Sequence, residues 1–106
     1  MKGITYKGLS EFIEGLRLFG LPKNQFPEVI AHEKAHLNRA RELGYQAEYC
    51  IIITDPNRLT FRPSIHIYGD LKPSDNDMKK ILSAPSNPSD WDATRLNSLE
   101  RVAGTL

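Results

Sequence analysis

The chain has 106 residues, 40% of them apolar and 25% charged, with a formal charge of +1. Such a length supports one domain with a modest core, and such a balance excludes global disorder. No basic run points to nucleic acid or an anionic membrane, no apolar run is long enough for a bilayer span, and Cys50 has no second cysteine with which to form an internal disulfide or a zinc finger.

"MKGITYKGLSEF" at the start lacks the apolar core of a signal peptide, so the expected address is the cytoplasm. "GLSEFIEGLRLFG" predicts a short helix, because Leu9, Phe12, Ile13, Leu16 and Phe19 recur at helical spacing and Gly20 suits its stop. "LPKNQ" is a connector. "FPEVIAHEKAHLNRARELG" predicts a longer helix. Pro27 suits the first turn, Glu28 complements the positive end of the helix dipole, Arg39 and Arg41 lie near the negative end, and Gly44 terminates.

"YQAEYCIIITDPNRLTFRPSIHIYG" predicts a β-hairpin turning at "TDPNR". With Thr54 opposite Thr60, Ala47, Tyr49, Ile51 and Ile53 join Leu59, Phe61, Ile65 and Ile67 on a core face. The other face then carries Glu48, Cys50, Ile52, Arg62, Ser64, His66 and Tyr68, with Glu48 opposite His66. "DLKPSDNDMKKIL" predicts a short helix capped near Ser74 or Asp75, "SAPSNPS" a break, and "SDWDATRLNSLERV" a terminal helix with Ser89 as N-cap. The order helix, helix, hairpin, helix, helix is that of a single α+β domain.

The chemistry concentrates in His32-Glu33-Lys34-Ala35-His36. Histidines four apart share a helix face and can point both imidazoles at one zinc ion. Glu33, one step round, can take a proton from water on that ion without itself being a ligand. The bland reading is a charged helix with incidental histidines. A zinc peptidase also needs a third protein ligand. From His36 to Leu43 the helix travels about 10 Å, and the strand after Gly44 returns about as far, which brings Glu48 level with His36. Glu48 is therefore the first candidate for the third ligand, against the reading of a solvent-facing strand carboxylate. His66 is the competing ligand. It could instead hydrogen-bond a substrate carbonyl or its oxyanion, as could Tyr68 or Arg62. Asp90, Asp92 and Glu100 are more distant carboxylates.

"HEKAHLNRARELGY" followed by a hairpin, then "AP" and "SDWD", resembles the minimal soluble gluzincin peptidases of archaea, the selecase-like minigluzincins. The resemblance spans most of residues 9 to 101 and is specific at His32, Glu33, His36 and the Gly44-Tyr45 turn. It implies a zinc-dependent endopeptidase acting on unfolded or extended peptides, with one zinc per chain and Glu33 as general base. The family's third ligand is a glutamate a short distance after the motif, and Glu48 is the one at a comparable distance here. The resemblance also implies latency, through self-association or a C-terminal segment in the cleft. The alternative class is a non-catalytic regulatory or interaction module that keeps the metal-binding helix as scaffold.

Overall fold

A computed structural model describes residues 2–58 and 60–85. A strand, β1 (Lys2–Tyr6), comes first, ahead of helix α1 (Leu9–Leu18). A 3-10 turn at Lys23–Gln25 leads into α2 (Phe26–Glu42), followed by β2 (Gln46–Asp55), β3 (Thr60–Tyr68) and α3 (Asp75–Leu82). The architecture is the expected α+β, with one strand more than the sequence predicts. "KGITY" offers only Ile4 and Tyr6 as apolar alternation, too little local pattern to announce a strand. It becomes one by pairing with β2, a partner more than forty residues away in the chain. The expected helix over 89–102, with Trp91, lies outside the described residues.

The sheet is antiparallel throughout, in the order β1-β2-β3. Glu48 pairs with His66 and Ile53 with Phe61, which is the register that the alternation predicts. It slips by one residue at the turn, where Asp55 pairs with Thr60 and a bulge intervenes. The Thr54 and Thr60 hydroxyls still meet at 2.7 Å, and the Asn57 N–H donates to the Asp55 carboxylate at 3.0 Å, closing the turn. Pro63 interrupts the donors of β3, which is tolerated because β3 is an edge strand.

One face of the sheet carries the core. Phe12 and Leu16 of α1, Leu37 and Ala40 of α2, Ala47, Tyr49 and Ile51 of β2, and Ile81 of α3 form one buried apolar cluster. Both long helices therefore lie on that face, α1 across β1 and β2 and α2 across β2 and β3. Phe12 stacks on Tyr49 with ring centroids 4.6 Å apart. Gly15 lets β1 close onto α1, since a Cβ there would stand 2.5 Å from the Tyr6 ring. Gly44 turns the chain from α2 into β2 with a φ of +94°, a conformation that costs other residues about 1 kcal/mol or more.

Candidate metal centre

His32, Glu33 and His36 occupy the middle of α2, and 33, 36, 37 and 40 form its buried stripe. Glu33 and His36 are only 5% and 4% exposed, whereas His32 is half-buried at the margin. One ligand atom from each of the three lies within 4.8 Å of the others, a group that could hold a metal ion. Glu33 brings a carboxylate oxygen to 3.9 Å from His32 Nε2.

The two rings stand almost perpendicular, at 85°, with Nε2 facing Nε2 at 3.2 Å. Two nitrogens bound to one tetrahedral zinc at 2.0–2.1 Å stand about 3.3 Å apart, so this separation fits a shared ion. It also fits a single N–H···N hydrogen bond between the rings. The other side of His36 decides its chemistry. Nδ1 lies 2.7 Å from the Ile81 carbonyl oxygen, buried between α2 and α3. A carbonyl only accepts, so Nδ1 carries the hydrogen and, in the neutral ring, Nε2 keeps its lone pair toward His32. Metal-ligating histidines are held in the same way, by a carbonyl or carboxylate on the nitrogen away from the ion.

Glu48 and His66 are not part of this group. They face each other across β2 and β3, and alternation puts them on the sheet face opposite the one that packs on α2. His66 and Tyr68 are exposed there, with their rings roughly parallel and centroids 6.3 Å apart. Arg62 and Ser64 share that face, as partners of Ile52 and Cys50. Burial pushes the Cys50 thiol up to about 11, which makes it a poor nucleophile at neutral pH. Asp90, Asp92 and Glu100 lie outside the described residues.

Two contacts escaped sequence reasoning. One is the Ile81 carbonyl on His36, forty-five residues away along the chain. The other joins the Tyr45 hydroxyl to the Asp77 carboxylate at 2.5 Å, and that bond raises the tyrosine's pKa. A shallow cleft of about 350 Å³ lined by Tyr6, Glu11, Glu14 and Leu18 lies between β1 and α1, apart from the histidines. No helix of the described residues is long and apolar enough to cross a membrane. No protein-family model, no curated protein and no solved structure matches the chain.

Proposed function

We propose that the chain is a zinc-dependent endopeptidase of the cytoplasm, acting on unfolded or extended peptides. The reading rests on one observation: two imidazole Nε2 atoms 3.2 Å apart with a buried carboxylate beside them, on one helix. In this reading His32 and His36 would each contribute one ring nitrogen to the ion. A zinc ion bound there supplies Lewis acidity, lowering the pKa of water and polarising a carbonyl. Glu33 takes the proton of the attacking water on its carboxylate and returns it to the departing amine nitrogen. Burial of Glu33 places its carboxyl group in a medium of lower dielectric than bulk water, where electrostatic interactions are stronger. The likeness to minimal gluzincins supports the same assignment and carries with it their latency.

A closed, non-catalytic metal site in a regulatory module is the second reading. It is favoured by the burial of Glu33 and His36, which leaves His32 as the more accessible of the three. One experiment separates them. Zinc content and casein hydrolysis are measured for the parent and for Glu33→Gln. A peptidase takes up about one zinc per chain and loses hydrolysis, but not zinc, in the variant. A protein that binds zinc and cleaves nothing, in either form, is the module.

A further inference from the structure

We propose that α3 is a positioning clamp on His36, such that docking of α3 and occupancy of the metal site strengthen each other; this rests on the metal-site reading above. α3 is fixed at both ends to the segment that carries the motif. At its first turn, Tyr45, the residue after the Gly44 reversal, donates its hydroxyl hydrogen to Asp77. The Asp77 N–H in turn donates to the Ser74 hydroxyl that caps the helix, at 3.1 Å. At its last turn the Ile81 carbonyl accepts from His36. Ile81 and Leu82 anchor that turn at 2% and 6% exposure.

The Ile81 carbonyl is suited to this task by its place in the helix. It is among the last four carbonyls, which have no partner one turn further on, and it carries the negative end of the helix dipole. A weaker 3.2 Å bond from the Ala84 N–H leaves its second lone pair for the imidazole. While α3 is docked, the His36 hydrogen is held on Nδ1 and the ring cannot turn, so Nε2 remains the nitrogen that carries the lone pair and faces His32. With α3 undocked, water replaces the carbonyl, the hydrogen can move to Nε2, and the competing tautomer weakens the ligand. Metal on Nε2 polarises the Nδ1–H and tightens its bond to Ile81. Linkage makes the two effects equal: whatever factor docking adds to metal affinity, metal adds to docking.

The test uses the full chain with Tyr45→Phe and Asp77→Asn, two independent ways to loosen the far end of α3. Three quantities are read. The His36 imidazole nitrogen-15 shifts are recorded in metal-free protein, the zinc dissociation constant is measured by chelator competition, and amide exchange over 78–83 is followed with and without zinc. In the parent, His36 shows the Nδ1–H form alone, and saturating zinc slows exchange in α3. Each variant mixes the tautomers and binds zinc about tenfold more weakly, at the lower end of the effect of an outer partner of a metal ligand. If the variants melt earlier but keep the parental tautomer and affinity, α3 is only a structural element and the proposal is overturned. Should a variant not fold, α3 exchange in the parent decides, and indifference to zinc overturns the proposal. A parent that takes up no zinc sinks the metal-site reading together with the coupling, whereas zinc binding without a response from α3 sinks the coupling alone.

Discussion

α1 and α2 rest on the same sheet face and bury positions at the same spacing, but with different residues. In α1 the buried positions 12, 15 and 16 hold Phe, Gly and Leu; in α2 the matching positions 33, 36 and 37 hold Glu, His and Leu. Phe12 and Leu16 are fully buried, and each adds apolar area and close packing. Glu33 and His36 are nearly as buried and add polar atoms that must be compensated. The helix with the apolar stripe stabilises the sheet. The other gives up part of its apolar packing for polar atoms, a departure from core composition of the kind expected at functional or strained sites.

Breaking α2 at its polar positions should produce the largest effect. If His36 holds the metal as proposed, His36→Ala should abolish zinc uptake, read by metal analysis after dialysis. Glu33→Gln should keep the metal and lower casein hydrolysis by about 10²–10⁴-fold, the range for removing a general base. Breaking α1 should act on stability instead. Phe12→Ala or Leu16→Ala should cost about 2–5 kcal/mol in urea unfolding, and the fraction that remains folded should bind zinc as the parent does. Any loss of zinc affinity in that folded fraction would mean that the two helices do not divide their labour in this way.

Cys50 tests the opposite sheet face. Its thiol is raised from an ordinary 9.0 to about 11, chiefly by burial. A pKa raised by folding adds stability that is intact below pH 9 and lost as the pH climbs through 11. Cys50→Ala should remove the earliest part of the alkaline loss, below the range where Tyr6, Tyr45 and Tyr49, all raised above 10.0, begin to ionise. Equal loss of stability between pH 9 and 10 in parent and variant would refute this assignment. Gly44→Ala should cost about 1 kcal/mol, because the space around it is open and only the positive φ opposes a side chain. The smallest effect is expected at Glu48. Alternation turns it away from α2, so Glu48→Gln should change the zinc dissociation constant by less than about twofold; a tenfold loss would bring Glu48 into the site, since losing even an outer partner of a metal ligand costs about tenfold or more.

What could be read from the sequence was the locally encoded part. The bounds of α2, its Gly44 stop, the Ser74 cap of α3 and the pairing of Glu48 with His66 each follow from a few neighbouring residues. The juxtaposition of His32, Glu33 and His36 follows from helix periodicity alone. Strand β1 and the Ile81–His36 contact depend on residues far apart in the chain, and neither "KGITY" nor "KKIL" carries a sign of its partner. Distance counted along α2 and back along β2 makes Glu48 the candidate third ligand. Such a count is indifferent to which side of the sheet Glu48 emerges from, and alternation decides the side.

Pro63 lies at the middle of β3, and β3 is an outer strand of the sheet. An outer strand is an open template on which a second molecule can lengthen the sheet, the first step toward insoluble fibrils. Proline has no N–H to offer such a newcomer, so the template is broken at its centre, with only short runs on either side. The same residue that limits β3 as a strand thus acts as a gatekeeper against runaway polymerisation, a safeguard of value to a sheet that has three strands among the described residues.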